Sequence, residues 1–324
     1  MSAPVLILVS NAAAGTPAGG GLDFERADPS LPQLSMLDLG ATRGDGIFET
    51  IMVADGRAPA VDAHLDRFRA SAALLDLPEP RADVWRRAVQ AAIEAATTGD
   101  EPAATTAGEP AVERTADDPA TPAPSNAPRI LAVKLVLTRG IEGSGRPTGW
   151  VLAQPARDFT AMRRDGVRVV TLDRGYRHDV ATTSPWLLQG AKTLSYAINT
   201  AAIREAVRRG ADEVVFTSSD GFVLEAPTAS VLLREGGRFR TPSAEVGILP
   251  GTTQRRAFEF LEGLGHDTGA VQLRVSDLHR ADAVWLVSAV RQAVPVTALD
   301  GRPLEVDREL TEALNAHLSA QPAA

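Results

Sequence analysis

The chain has 324 residues, 44% of them apolar, and a formal net charge of -8. This length is enough for one large domain or two medium ones, each with its own core. The negative charge provides no global basic field for nucleic acid or an anionic membrane surface. Cysteine is absent, which excludes disulfides and thiolate metal sites. We therefore expect a cytoplasmic protein that binds small molecules and neither nucleic acid nor membrane.

We predict that residues 1–36 form an irregular N-terminal arm, because much of this segment is rich in glycine, alanine and proline. β-Branched residues predict a strand over 47–53, followed by the hairpin turn signal Asp55-Gly56. Apolar residues spaced three and four apart predict helices over 62–77, with Asp62 as N-cap, and over 81–96. Residues 97–128 have almost no large apolar side chain, so we expect a disordered surface insertion there.

The rest of the chain mixes strand and helix patterns. Strands are predicted over 130–138, 150–154, 167–172, 213–217, 222–224, 230–234, 238–241, 283–287 and 295–299, and helices over 193–209 and 252–264. This order indicates a mixed α/β or α+β fold with two subdomains. We place a small N-terminal α/β domain over 37–155 and a larger C-terminal domain over 160–324.

Lysine is scarce. The 33 basic residues include only two lysines, Lys134 and Lys192. Arginine can replace lysine as a surface charge, but it does not lose its proton and so cannot attack a carbonyl. Lys192 follows Gly190-Ala191 and precedes a predicted helix, where a lysine can project into a cleft. Desolvation there would lower its pKa, as a Schiff-base lysine requires; the alternative is a solvated lysine at a helix start.

Two further segments contain groups that could bind an anion. The loop over 247–253 reads GILPGTT and precedes a predicted helix, so its backbone N–H groups and the hydroxyls of Thr252 and Thr253 could bind a phosphate. Ordinary N-capping by threonine is the alternative. Arg67 lies next to the apolar stripe of its helix, where it could pair with a phosphate or stay at the rim.

Glu225 ends an apolar strand before a turn. Its carboxylate could be half-buried with a cationic partner such as a pyridinium N–H, or it could lie at the surface. We expect no metal site, because the five histidines show no metal-ligand spacing. We interpret His64 as a capping or packing residue.

Six motifs occur in one order. They are GDGIFET at 44–50, HLDRF at 64–68, TRG with GSGRP over 138–147, GAKTLSYA at 190–197, DGFVLEAPTAS at 220–230 and GILPGTT at 247–253. In this order they resemble the fold-type IV pyridoxal 5'-phosphate (PLP) enzymes of the class IV aminotransferase family, over about 37–303 without the insertion. The chain looks most like actinobacterial aminodeoxychorismate lyase-like members. The resemblance implies two α/β subdomains with PLP at their interface, and a homodimer whose partner chain lines part of the site.

The resemblance also implies roles for individual residues around the cofactor. Lys192 would form the Schiff base with PLP and shuttle the proton. Glu225 would keep the pyridine nitrogen protonated, which deepens the electron sink. Arg67 would anchor the cofactor phosphate together with Thr252 and Thr253.

On the substrate side, the resemblance implies that Glu49 lies near the lysine and helps to orient it. Arg146 would recognise a substrate carboxylate, and Arg139 is the adjacent candidate, because a guanidinium can bind a carboxylate with two hydrogen bonds. Two positions depart from the family pattern. Ser230 stands where an asparagine is usual, and the nearest phosphate-binding candidates before the C-terminal Val-Pro segment are Ser288 and the backbone of Ala289.

We expect a 4-amino-4-deoxychorismate lyase that eliminates pyruvate to give 4-aminobenzoate for folate synthesis. The alternative is a class IV aminotransferase acting on D-amino acids or branched-chain amino acids, because both reactions need the same residues up to the carbanion. A third reading, a PLP-fold protein that binds or regulates without turnover, is disfavoured because Lys192 and Glu225 are both present.

Overall fold

The computed structural model describes residues 3–10, 12–14, 22–98 and 130–320. The strands in this part of the chain are β1 (Val5–Val9), β2 (Phe24–Ala27), β3 (Gly46–Ala54), β4 (Ile130–Thr138), β5 (Thr148–Pro155), β6 (Val167–Asp173), β7 (Glu213–Thr217), β8 (Ser230–Glu235), β9 (Arg238–Pro242), β10 (Asp267–Val271), β11 (Ala283–Ser288), β12 (Gln292–Leu299) and β13 (Arg302–Pro303). The α-helices are α1 (Leu39–Arg43), α2 (Val61–Leu74), α3 (Ala82–Thr98), α4 (Thr160–Asp165), α5 (Val180–Thr183), α6 (Ala197–Arg208), α7 (Thr252–Gly263), α8 (Val275–Arg280) and α9 (Arg308–Ser319). Two short 3-10 helices lie at Pro185–Leu187 and Ala244–Val246.

The first half forms an antiparallel sheet in the order β2-β1-β5-β4-β3. Helices α2 and α3 cover one face of it. Helix α2 buries Leu65, Phe68 and Ala72, whose three- and four-residue spacing forms one apolar face. The rings of Phe68 and Trp85 meet edge to face, with centroids 4.9 Å apart. Strand β3 lies at one edge of this sheet, and a segment of the second half of the chain pairs with it.

The second half forms a mixed sheet in the order β10-β9-β8-β11-β12-β6-β7, with β13 paired to β12. Strand β6 runs parallel to β12 and β7, and β10 runs parallel to β9. Alternate residues of β11 enter different cores: Trp285 packs with α7 and α9, and Leu286 packs with α8 on the other face. A sheet buried on both faces has nearly continuous apolar strands, as β11 does.

The expectation for residues 1–36 was wrong in one respect. Strand β1 lies between β2 and β5, so this segment contributes two strands to the first sheet. Its apolar residues are stabilised by pairing with β5, which lies more than 130 residues away in the chain and so outside any local window. Residues 99–128 of the predicted insertion lie outside the described residues, while Thr97 and Thr98 complete α3. The domain division at 155–160 stays a prediction.

The expected helix starts also changed. Helix α2 has Ala60 as its N-cap, and Asp62 lies in its first turn. Helix α6 begins at Ala197 instead of 193, because the preceding residues pair with β3. Residues 222–224 form only isolated bridges, to Thr217 and Arg274. Among the described residues, no helix is long and apolar enough to cross a membrane.

Candidate active site

The segment that carries Lys192 lies in extended form along the edge strand β3. Phe48 N donates to Lys192 O at 3.0 Å, and Leu194 N donates to Gly46 O at 2.8 Å. Lys192 N donates to the hydroxyl of Ser71 on α2 at 3.1 Å. These three bonds fix the lysine backbone against the first sheet, while the chain continues directly into α6 of the second half.

The ring of Phe48 is shared by both lysines of the chain. Lys192 Nζ lies 4.5 Å from the ring centroid and Lys134 Nζ lies 4.9 Å from it. The ring of Tyr196 packs against Phe48 edge to face, with centroids 5.3 Å apart. Lys134 is exposed overall, and desolvation lowers the pKa of its amine. Both lysine amines therefore lie within 5 Å of the centroid of one aromatic ring, whose electron-rich faces attract cations.

Burial is the largest influence on Lys192 and lowers its pKa. The carboxylates of Glu49 and Glu225 act in the opposite direction and raise the pKa of Lys192. Arg67 and Lys134 lower this pKa further through their positive charges. The net result is a lysine that loses its proton more readily than an exposed one, which suits attack on a carbonyl.

Glu225 lies at the other end of the site. Its backbone O accepts from Phe216 N at 2.9 Å, and its Oε2 accepts from Leu249 N at 3.3 Å. Burial raises the pKa of Glu225 to about 7, although the charges of Lys192 and Arg174 and the Leu249 N–H act to lower it. No salt bridge reaches this carboxylate within the described residues. A partly buried carboxylate with one weak hydrogen bond could accept one from a protonated ring nitrogen.

Glu49 is fully buried and pairs with two cationic or polar groups of α2. Arg67 Nε and Nη2 donate to its two carboxylate oxygens at 2.7 and 2.8 Å. His64 Nδ1 lies 2.7 Å from Glu49 Oε2. Burial alone would raise the pKa of Glu49, but Arg67 and then His64 lower it to about 2. Burial in turn lowers the pKa of His64. Glu49 therefore holds Arg67 in place through a bidentate pair.

The same network reaches the start of α7. Arg67 Nη1 donates to Pro250 O at 2.9 Å, and Thr252 Oγ1 lies 3.4 Å from His64 Nε2. The N-cap, Gly251, provides no side-chain cap, so the first N–H groups of α7 have no intrahelical partner. A Cβ on Gly251 would lie 2.3 Å from the hydroxyl oxygen of Ser230, which leaves room only for glycine there.

This corner can hold a phosphate. Arg67 uses three of its five N–H groups in the bonds above and keeps two. Thr252, Thr253 and Ala289 line one small cavity together with His64. The structure therefore brings Thr252, Thr253 and Ala289 together, and Arg67 contacts the same loop through Pro250 O, although Arg67 and Ser288 do not line this cavity. Within the described ranges, no group of three or more His, Asp or Glu side chains is arranged to hold a metal ion.

The two predicted carboxylate-binding arginines differ. Arg139 is committed to its own chain: it pairs with Asp45 through Nε at 2.7 Å and donates to the carbonyls of Leu75 and Asp76 at 2.6 and 3.2 Å. These bonds tie β4 to the end of α2, so Arg139 acts as an anchor here. Arg146 is exposed, and its guanidinium makes no hydrogen bond or ion pair with the described residues.

A model of the family described as amino-transferase class IV matches residues 46–299. The chain belongs to the class IV aminotransferase family. It is 42% identical over 309 residues to the bifunctional aminodeoxychorismate lyase / D-amino acid transaminase of Mycobacterium tuberculosis, covering 90% of this chain and 96% of the relative. The fold IV-transaminase CpuTA1 of Curtobacterium pusillum superposes with a TM-score of 0.86 at 49% identity, covering 98% of this chain and 97% of the other. The PLP-bound form of a hypothetical aminotransferase from M. tuberculosis superposes with a TM-score of 0.80 at 38% identity, covering 97% of each chain.

Family membership confirms the predicted fold type and the predicted cofactor. The protein is a PLP-dependent enzyme, either a lyase or a transaminase. Inspection of the sequence missed the second amine, that of Lys134, and the aromatic ring that it shares with Lys192. The scarcity of lysine was a signal for both lysines, but Lys134 lies in a strand with no cofactor motif around it.

Lys192 and Lys134 provide a direct test of the Schiff-base assignment. We expect borohydride reduction of the PLP-loaded protein to attach one cofactor covalently, because a reduced Schiff base is a stable amine. Peptide mass spectrometry should find the adduct on Lys192, and the K192A variant should lose it. The matched variant K134A removes the only other lysine and should keep the adduct. An adduct that persists in K192A would show that another amine holds the cofactor.

Glu49 makes stability depend on pH. Its pKa falls from 4.5 in the unfolded chain to about 2 in the folded one, so its stabilising effect is present above about pH 4.5 and is lost as the pH falls towards 2. We expect E49Q to lower the free energy of unfolding at pH 7 by about 3–5 kcal/mol, because Arg67 keeps a half-satisfied buried charge. Urea unfolding between pH 3 and 7 measures both effects.

The control for this measurement is E79Q, which breaks the exposed ion pair of Glu79 with Arg69 on the same helix. We expect a change of about 0–1 kcal/mol there. If E49Q and E79Q lose the same stability with the same pH dependence, the buried network does not stabilise α2.

Proposed function

We propose that this enzyme is a 4-amino-4-deoxychorismate lyase, which releases pyruvate and forms 4-aminobenzoate, and that it also acts as a D-amino acid transaminase. The observation that carries the lyase proposal is the second amine, that of Lys134, which lies against the same Phe48 ring as Lys192. Aminodeoxychorismate carries two carboxylates, and a site with an additional ammonium group beside the reactive lysine suits such a dianion.

The chain's own residues then take the following parts. PLP, when bound, supplies an electron sink for negative charge at the carbon that bears the amine. Lys192 would remove and return the proton at that carbon through Nζ, and its lowered pKa favours the neutral amine that this requires. Glu225 would keep the ring nitrogen protonated, and Arg67 with the first turn of α7 would bind the phosphate.

The substrate carboxylates would be bound by Lys134 and Arg146. Arg146 lies on the loop after β4, which turns at Gly140, where φ is +80° and a Cβ would lie 1.9 Å from Arg146 O. Because its guanidinium is exposed and unpaired in the described chain, it is free to bind a carboxylate with two hydrogen bonds. Arg139 would support this loop from its base through Asp45.

The transaminase proposal rests on the M. tuberculosis relative, whose name includes both activities. Lyase and transaminase need the same proton removal by Lys192. They would differ in the next step: in the lyase the enolpyruvyl C–O bond would break, whereas in the transaminase Lys192 would return the proton at a different carbon. One site can therefore catalyse both reactions, and the substrate decides which one follows.

The proposal includes a homodimer, as the family resemblance implies. Several large apolar side chains are exposed in the single chain, among them Met36 at 87%, Trp186 at 73%, Leu37 at 68% and Ile198 at 64%. Large exposed apolar side chains near one another are typical of protein interfaces. A partner chain that covers them would remove this apolar surface from water.

The two activities are separated by supplying purified, PLP-loaded enzyme with different substrates. With aminodeoxychorismate, we expect 4-aminobenzoate and pyruvate in equal amounts. With D-alanine and α-ketoglutarate, we expect pyruvate and D-glutamate. Product analysis by liquid chromatography measures both. If amino acid and keto acid pairs react but aminodeoxychorismate gives no 4-aminobenzoate, the lyase proposal is wrong.

The variant R146M tests the proposed carboxylate partner. Loss of one charge-assisted hydrogen-bonded pair, worth about 1.5–3 kcal/mol, should raise KM for aminodeoxychorismate by about 10- to 100-fold. We expect kcat to change much less, because the same contact is made before and during the reaction. The control is R204M, which changes an exposed arginine on α6. Equal KM values in R146M and R204M would remove Arg146 from the substrate site.

A further inference from the structure

A buried ion pair contacts the segment that follows Glu225 and takes no part in the roles described above. Glu213, the first residue of β7, pairs with Arg291, which lies between β11 and β12. The exposed fractions of the two side chains are 6% and 11%. Glu213 Oε2 is buried and has no hydrogen-bond partner among the described residues. A buried pair with an unsatisfied oxygen is a poor source of stability, because desolvation offsets the attraction. This points to a role other than stabilisation.

The guanidinium of Arg291 contacts three parts of the chain. Besides Glu213, its Nη2 donates to Thr228 Oγ1 at 2.6 Å. Its Nε donates weakly to Ser288 Oγ, the last residue of β11, at 3.5 Å. Arg291 therefore joins the start of β7, the end of β11 and the segment that directly follows Glu225.

That segment is a tight turn over residues 226–229. Ala226 N donates to Ala229 O at 2.9 Å and closes it. On one side, Tyr196 Oη and Asn199 Nδ2 both donate to Pro227 O, at 2.9 and 2.8 Å. From another direction, Arg291 Nη2 donates to the Thr228 hydroxyl. The turn is thus held from α6 and from Arg291, and Glu225 immediately precedes it.

We propose that Arg291 is a positioning residue for Glu225: it fixes the 226–229 turn through Thr228 and so orients the Glu225 carboxylate for its contact with the ring nitrogen of PLP. Glu213 orients the guanidinium for this task. The proposal rests on the assignment of Glu225 as the partner of the ring nitrogen. It applies equally to a lyase and a transaminase, because both need that contact.

A purely structural role makes a different prediction from a positioning role. In R291M, the Glu213 carboxylate stays buried without a partner, so stability falls under either hypothesis. In E213Q/R291M both charges are gone and much of the stability should return. The hydrogen bond to Thr228 is still missing in this double variant. T228V removes the same hydrogen bond alone, with no change in charge and little change in shape.

We would measure three quantities for the PLP-loaded variants: the melting temperature, the PLP dissociation constant, and the pH midpoint of the bound cofactor's absorbance. We expect E213Q/R291M and T228V to bind PLP about tenfold more weakly and to shift the pH midpoint in the same direction as E225Q. The control is R168M, which breaks the exposed pair of Arg168 with Asp212 beside the same strand. It should leave the dissociation constant and the midpoint unchanged.

The outcomes separate the two assignments. If E225Q shifts the midpoint but T228V and E213Q/R291M do not, Arg291 is not a positioning residue and the role of Glu225 stands. If E225Q itself leaves the midpoint unchanged, the Glu225 assignment fails and the proposal fails with it. If E213Q/R291M does not fold, the result for T228V decides alone.

Discussion

The structure depends on the pairing between the lysine segment and the edge of the first sheet. Two backbone hydrogen bonds, from Phe48 N to Lys192 O and from Leu194 N to Gly46 O, add an extended segment to β3. An unpaired strand edge has free N–H and C=O groups, and here the second half of the chain satisfies part of that edge. The pairing delays the start of α6 to Ala197 and places the Lys192 amine over the ring of Phe48.

The two carboxylates near this lysine, those of Glu49 and Glu225, have different partners. Glu49 is fully occupied by Arg67 and His64, and its pKa falls to about 2. Glu225 lacks such a pair, and burial raises its pKa to about 7. The two carboxylates therefore differ because of their surroundings, and only Glu225 keeps the capacity to accept a hydrogen bond from a ligand. The proposed cofactor contact follows from this difference.

Most regular elements could be predicted from local patterns, since alternation and three- to four-residue spacing report which face of an element is buried. Strands β4 and β7 begin and end where the pattern predicts. The errors fall where distant segments decide the conformation. Strand β1 is fixed by β5, and the residues after Lys192 are held extended by β3. No window of neighbouring residues contains either partner.

The sequence by itself determined the family and its PLP cofactor, and it predicted the cofactor lysine and the phosphate-binding loop, because these depend on residue types in a fixed order. Only the tertiary structure decided how free each candidate side chain is. The sequence offers both Arg139 and Arg146 as carboxylate partners, yet Asp45 and two carbonyls just after α2 occupy Arg139, whereas Arg146 is exposed. Lys134 is recognisable as a neighbour of Lys192 only in the folded chain, where its amine lies over the ring of Phe48. The physical reason is that a side chain's partners come from segments far away in the chain, and their distances exist only in the folded molecule.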